Sequence, residues 1–378
     1  MYDFSKIFKG NVELKELYIN RIIDLFAISL IGIFIPIYLL KMSFTLPEVF
    51  VYLIFLWGTA WIMIFFAAHI SSKIGIKRTI VLRVPILISF LFLLTNLEFL
   101  HPAFLYAAAI LAGTSTAFYW TPLNSEFCKN ADSKKVGSQS SYLSAIPNIF
   151  VIFAPILGGI MLEYFGFHSV LILVMLLTAI SVIPLSFTGE CLINFNYNIR
   201  KEKPLKRAKE FSNRFFIQGV FWIVEGVVWP IYIFMVLGDL VSVGIAGTLN
   251  VLGIAIFTVF IGRMSDKVDK NNIIKIGSVI FAVVWFTRIF ASSPMEIFLL
   301  SLLGGLSLAL IDVPIFAMFS KLSKRNPLSM VVSREVRLQT GRLTLLFILL
   351  LIALFLTTNI FTFAFAFAGI MALALLVV

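Results

Sequence analysis

Asn213–Phe234 reads NRFFIQGVFWIVEGVVWPIYIF, an apolar stretch long enough to cross a bilayer that still carries a carboxylate, Glu225. At a helical rise of about 1.5 Å per residue, Glu225 lies about 16 Å beyond Arg214, near the middle of a hydrocarbon core of ~30 Å. Gln218, Trp222, Glu225, Trp229 and Tyr232 follow at spacings of four and three, which predicts one shared helix face. A charge at that depth is costly unless it faces protein or a wet cavity, and such residues mark transport pathways. The stretch has a twin in Asn20–Leu40, NRIIDLFAISLIGIFIPIYLL. Asn-Arg recurs 193 residues on, from Asn20 to Asn213, and Pro-Ile-Tyr recurs 194 residues on, from Pro36 to Pro230. The chain reads as a doubled membrane bundle.

The composition agrees. Of 378 residues, 60% are hydrophobic and 13% charged, and the mean hydropathy is +1.03. A soluble domain of this size could not hide so much apolar surface. The net charge of +11 could suggest nucleic acid. However, Lys and Arg sit in short clusters between apolar segments, as membrane topology requires, so no nucleic-acid partner is expected. Cys128 and Cys191 fall in segments assigned to the cytoplasm, where a disulfide is not expected. The opening segment lacks a small-residue cleavage site and reads as a retained helix.

Apolar segments lie at roughly 18–40, 47–70, 79–97, 101–123, 141–163, 168–187, 214–237, 241–262, 273–292, 296–319, 335–357 and 359–378. Twelve spans put both termini on one side. Loops after even-numbered segments carry Lys73, Lys77 and Arg78, then Lys129, Lys134 and Lys135, and later Lys321, Lys324 and Arg325. The opposite loops carry Glu48, Glu98, Glu163, Asp239 and Glu296. Of 30 Lys and Arg, all but Lys41 and Arg288 are assigned to one face, which is cytoplasmic by the positive-inside rule. The expected fold is therefore an all-α integral membrane protein of twelve transmembrane helices, built as two pseudo-symmetric six-helix bundles with cytoplasmic termini. Residues 1–187 form the first bundle, 188–212 a basic cytoplasmic linker and 213–378 the second bundle.

The repeat recurs elsewhere. AHISSKIGIKRTI from Ala68 pairs with GRMSDKVDKNNII from Gly262 at an offset of 194, and Gly113 and Pro122 pair with Gly305 and Pro314 at 192. Six spans per half keep the halves the same way round, so an axis along the membrane normal should relate them, with a site near midplane at their interface.

On these motifs the sequence resembles the major facilitator superfamily (MFS) of secondary transporters, from about Tyr18 onward. The family's loop signature is G-x-x-x-D-R-x-G-R-R. The second copy matches at Gly262, Asp266, Lys267 and Lys270, with Asp269 replacing the inner glycine. The first keeps Lys73, Gly75 and Lys77 but has Ala68 and Ser72 where glycine and aspartate are expected. The resemblance implies a cytoplasmic latch that rests on Asp266 and lacks its acid at Ser72. Ala154–Gly159, APILGG, resembles the end of the antiporter motif through Pro155, Gly158 and Gly159. A kink at Pro155 and close helix contact at the two glycines explain the same residues structurally.

Inside the bundle the sequence offers Asp24, Glu225, Arg288 and Asp312. Glu225 is the candidate proton-coupling or cation-binding carboxylate, with a structural acid as the alternative. Asp24, one turn from Arg21, suggests a local ion pair or gate, and Asp312 either a gate or a helix-end contact. Arg288 is expected to extend toward the outer surface, with anion binding as the second reading. Tyr119 and Trp120 are placed either on the cavity or at the interface. The expected cavity is aromatic, sparse in charge and mildly acidic, suited to a lipophilic or cationic molecule that could rest on Trp222 or Trp229. No nucleotide-binding loop, metal cluster or nucleophile–base pair is present in sequence, so neither an enzyme nor a cofactor is expected.

The function expected is therefore a secondary transporter working by alternating access as a monomer in the cell membrane (plasma or inner). It is expected to export a small molecule in exchange for protons. A non-transporting sensor or scaffold and a lipid flippase are the alternatives.

Overall fold

The computed structural model describes residues 12–130, 147–187, 197, 211–265, 268–323, 326–355 and 359–378. Among them no strand occurs, and the helices overlap the apolar segments read from the sequence, although residues 141–146 of the fifth segment lie outside the described residues. In the first half they are α1 (Val12–Ile31), continued through a tight turn into α2 (Ile35–Lys41), then α3 (Leu46–Ile74), α4 (Ile76–Thr95), α5 (Phe104–Asn130) and α6 (Ala154–Ser181). In the second they are α7 (Ser212–Ile223), α8 (Trp229–Leu237), α9 (Leu240–Ser265), α10 (Lys270–Arg288), α11 (Pro294–Ser323), α12 (Pro327–Phe355) and α13 (Ile360–Ala374). Eight helical stretches among the described residues are long and apolar enough to cross a membrane.

Local chemistry sets the boundaries. Thr45 and Glu48 form a reciprocal cap at the start of α3, where the Thr45 N–H donates to the Glu48 carboxylate at 2.7 Å. Gly75 takes φ 99° between α3 and α4, a left-handed value that excludes a side chain at little cost only for glycine. Gly166, at φ 74°, interrupts α6 where the sequence reading ends one apolar segment and begins the next.

The internal repeat is visible in packing. Gly113 on α5 sits against α3, where an added Cβ would lie 2.2 Å from the Leu56 carbonyl. Gly305 on α11 sits against α9, where it would lie 2.0 Å from the Asn250 carbonyl. Gly113 pairs with Gly305 in the repeat, and Leu56 and Asn250 are 194 residues apart, so the same close contact is made in each half. Large apolar side chains such as Phe92, Phe153, Leu176, Phe260 and Val283 project from the bundle surface. Meanwhile Asp24, Arg83, Arg288, Arg334 and Glu335 are buried within it. Apolar outside and charged inside is the arrangement a hydrocarbon solvent selects.

Candidate functional site

The α7–α8 element that carries Glu225 is not a continuous α-helix. Pro230 has no N–H to give the Gly226 carbonyl, and its ring crowds that carbonyl. The chain widens into a π-turn at Val224–Val228, with the Trp229 N–H donating to the Val224 carbonyl. The extra residue in this turn divides the face expected from the sequence. Gln218 and Trp222 turn to Asp312, donating to its two carboxylate oxygens at 2.7 and 3.0 Å. Trp229 and Tyr232 turn instead to α10, α11 and α13: Trp229 donates to Ser301 Oγ at 2.9 Å, Tyr232 donates to the Ala291 carbonyl, and both rings pack on Phe365.

Glu225 lies between these groups and is fully engaged. Arg288 donates to both of its oxygens, at 2.6 and 2.9 Å, and Asn250 Nδ2 donates at 2.6 Å. Arg288 is 0% exposed. Its guanidinium lies 4.2 Å from the ring centres of both Trp229 and Trp285 and donates to the Leu300 carbonyl at 3.0 Å. Gly304 makes the room, since a Cβ there would meet the guanidinium at 2.2 Å. The expectation that Arg288 extends to the outer surface is thus corrected. A carboxylate within reach on the π-turn between α7 and α8 and two indole faces hold it inside, where reaching water would strip Glu225 of its counter-ion.

A second buried pair was not read from the sequence. Asp24 bonds Arg83 at 2.6 Å, not the neighbouring Arg21. Arg83 also donates from Nε to Ser115 at 3.1 Å and stacks 4.2 Å from the Tyr119 ring centre. Asp24 on α1 and Arg83 on α4 match α7 and α10 of the other half. However, Glu225 follows Asp24 by 201 residues and Arg288 follows Arg83 by 205, against a repeat of 192–194. The second pair therefore sits roughly two to three helical turns further along its helices. Each half carries an acid–arginine tie between corresponding helices at its own depth.

Between the halves lies a cavity of about 370 Å³, bordered by a second of about 330 Å³; Arg21, Trp57, Trp120, Trp222 and Arg342 line both. Tyr119 and Trp120 therefore face the interior. Arg342 of α12 is sandwiched between Trp57 of α3, at 3.9 Å, and Trp222 of α7, at 4.8 Å. Arg21 stacks 5.2 Å from the Trp120 ring centre. Arg334 pairs with Glu335, and Asn124 on α5 donates to Glu335 at 3.2 Å across the halves. The walls thus hold Arg21, Arg83, Arg334 and Arg342 against Asp24, Asp312 and Glu335. The expectation of a charge-poor, mildly acidic cavity is corrected, because α4 and α12 carry arginines inward that had been assigned to one membrane face. Glu225, Trp229 and Asn250 border a separate cavity of about 250 Å³ that Trp222 also lines.

The halves touch on both sides of the central cavity. Toward the end bearing the basic loops, Phe127 stacks on Phe316 at 5.5 Å and Cys128 approaches Ser320 at 3.9 Å. Toward the other end, the Ile156 N–H donates to Thr248 at 3.1 Å, and the Leu240 N–H donates to Glu163 at 3.4 Å. Two of the antiporter-like residues, Pro155 and Gly159, lie in this second joint, whereas Gly158 packs on α1 of its own half. A Cβ on Gly159 would fall 2.6 Å from the Leu240 carbonyl, one on Gly158 2.1 Å from the Leu30 carbonyl, and Pro155 packs on Gly247.

Of the loop signature, Ser72 donates to the His69 carbonyl at 2.7 Å, Lys73 is exposed, and Lys77 pairs with Glu16 at 2.6 Å. Gly262 lies in α9, and Lys270 opens α10. Asp266, Lys267 and Cys191 lie outside the described residues.

Residues 17–211, just over half of the chain, match the family model of the Major Facilitator Superfamily. No curated protein matches the sequence. In three dimensions the chain is similar to the human organic anion transporter MFSD10 (TETRAN), with a TM-score of 0.67 at 11% identity over 97% of this chain and 99% of that one. It is similar to the E. coli fucose:proton symporter FucP, with 0.68 at 12% identity over 96% of each. A bacterial homologue of the iron transporter ferroportin, in its outward-facing state, gives 0.65 at 14% identity over 97% of each. At such identities the likeness is one of fold. With the family match and the membrane-length apolar helices, it follows that this integral membrane protein belongs to the Major Facilitator Superfamily.

Proposed function

We propose that the chain is a secondary active transporter that moves a small molecule by alternating access around the central cavity. In this reading it has twelve spans in two six-helix halves, 1–187 and 213–378, with both termini cytoplasmic. The observation that carries it is a cavity of about 370 Å³ walled by both halves and flanked on either side by contacts between them. Separating one set of contacts while keeping the other exposes the cavity to one side at a time.

Proton coupling is assigned to Asp312 rather than Glu225. The Glu225 carboxylate already has a fixed counter-ion in Arg288, which is 0% exposed, so its charge is committed to a buried structural pair. Asp312 lines the cavity and is held by two neutral donors, Gln218 and Trp222, with no ion pair among the described residues. The test is uptake into proteoliposomes across a compound panel, with and without a proton gradient. Asp312→Asn should abolish the response to the gradient while exchange of substrate for substrate survives. A wild-type protein that moves no compound would favour the sensor or scaffold reading.

A further inference from the structure

We propose that the central cavity binds small organic monoanions, carboxylates or sulfonates, between two stacked guanidinium groups: Arg21 of the first half and Arg342 of the second. The proposal rests on the transporter reading and names its substrate class.

The aromatic lining is already occupied. Five of the six tryptophans stack on an arginine: Trp57 and Trp222 on Arg342, Trp120 on Arg21, and Trp229 and Trp285 on Arg288. A cationic substrate would need one of those faces and would have to displace a protein cation to reach it. An indole covering the face of a guanidinium leaves the N–H donors radiating in its plane. That is the direction from which a planar or tetrahedral oxyanion is held by parallel hydrogen bonds.

Charge singles out the same two residues. Arg83 and Arg334 have carboxylate partners in Asp24 and Glu335. Among the described residues no carboxylate lies within ion-pair distance of Arg21 or Arg342. Arg342 donates from Nη1 to the neutral Gln339 at 3.0 Å, and the Nε atoms of Arg21 and Arg342 are buried without a protein partner. Arg342 is buried and Arg21 half-buried, and a guanidinium withdrawn from water with spare donors is costly unless an anion compensates it. Setting the two existing pairs aside, Arg21 and Arg342 against Asp312 leave one net positive charge on the walls. A monoanion neutralises it.

Position then links binding to movement. Arg21 lies on α1 and Arg342 on α12, so one anion held by both bridges the halves. The cavity of about 370 Å³ falls at the small end of ligand sites, roughly 300–1,000 Å³, which suits a compact organic acid.

The experiment uses purified full-length protein in lipid nanodiscs, read by intrinsic tryptophan fluorescence and by thermal stability. The probes are benzoate, octanoate and benzenesulfonate, against benzylammonium and octylammonium. The anions should give saturable fluorescence changes and raise Tm, and the ammonium compounds should not. Arg21→Gln and Arg342→Gln should each weaken the apparent anion affinity about tenfold or more. Arg342→Lys should fall between wild type and Arg342→Gln, because it keeps the charge and loses the planar fork. If a variant does not fold, the comparison of anions with ammonium compounds on the wild-type protein decides. Saturable binding of the ammonium set, or of no anion, overturns the proposal, as does unchanged anion affinity in both folded glutamine variants. Counterflow of labelled benzoate in proteoliposomes separates the two levels. Anion binding without exchange defeats the transporter reading alone, whereas exchange of an amine but no anion defeats the anion site alone.

Discussion

Replacing Glu225 by glutamine keeps the shape of the side chain and removes its charge, so the effect reports what that charge does. In the native protein three donors converge on the carboxylate, two from Arg288 at 2.6 and 2.9 Å and one from Asn250 at 2.6 Å. Glutamine leaves one acceptor oxygen and turns an NH2 group toward the Arg288 donors. The guanidinium is 0% exposed and cannot recover hydration. Breaking a buried pair from one side costs about 3–5 kcal/mol. The two indole faces at 4.2 Å retain part of the stabilisation of Arg288, so the expected loss lies toward the lower figure, about 3 kcal/mol. Arg288→Met should cost a similar amount by stranding Glu225. The double variant Glu225→Gln/Arg288→Met should return to within about 1–2 kcal/mol of wild type, because neither charge is then left alone. Equilibrium unfolding in mixed micelles of all four proteins closes the cycle. Single variants as stable as wild type, together with loss of gradient-driven transport in Glu225→Gln, would refute the reasoning and return Glu225 to the role of proton carrier.

Three further outcomes are expected. Gly113→Ala and Gly305→Ala should each destabilise the fold by about 1–3 kcal/mol through overpacking, since the added methyl would lie 2.2 and 2.0 Å from a carbonyl of the neighbouring helix; unequal effects in thermal unfolding would count against an equivalent joint. Gly75→Ala should cost about 1 kcal/mol or more, because its φ of 99° is left-handed; a neutral change would mean that the turn rearranges. Asp266→Asn should impair transport far more than Ser72→Ala, the asymmetry the family's loop signature implies; equal effects would mean that this loop does not act as a latch here.

The helices and the repeat were legible because both are written in hydropathy and in residue identity. The Asn-Arg and Pro-Ile-Tyr repeats and the Gly113–Gly305 offset are properties of the string itself, and the structure gives the glycines one packing role. The charge of the cavity was not legible in the same way. Arg83 lies seven residues into α4, and α12 begins at Pro327, eight residues before the apolar run is apparent, so Arg342 falls 15 residues inside a helix. Proline at the first helical position was the signal for that earlier start. Placing basic residues by loop proximity hid all four cavity arginines from the account of the interior. The divided face of the α7–α8 element was out of reach for a different reason. A π-turn preserves the sequence spacing and changes the angle, and only Pro230, four residues after Gly226, hinted that the helix could not continue regularly.

The most direct test of alternating access is a pair of distances measured across the two ends of the cavity in one protein. In a background of Cys128→Ser and Cys191→Ser, spin labels would be placed at Lys73 and Lys321 toward the basic end. A second sample would carry them at Lys41 and Met235 toward the other; all four side chains are exposed. Pulsed electron spin resonance would then follow both distances as benzoate and pH are varied. The account predicts reciprocal change, one distance lengthening under conditions in which the other shortens. Distances that both stay fixed, or that lengthen together, would contradict it.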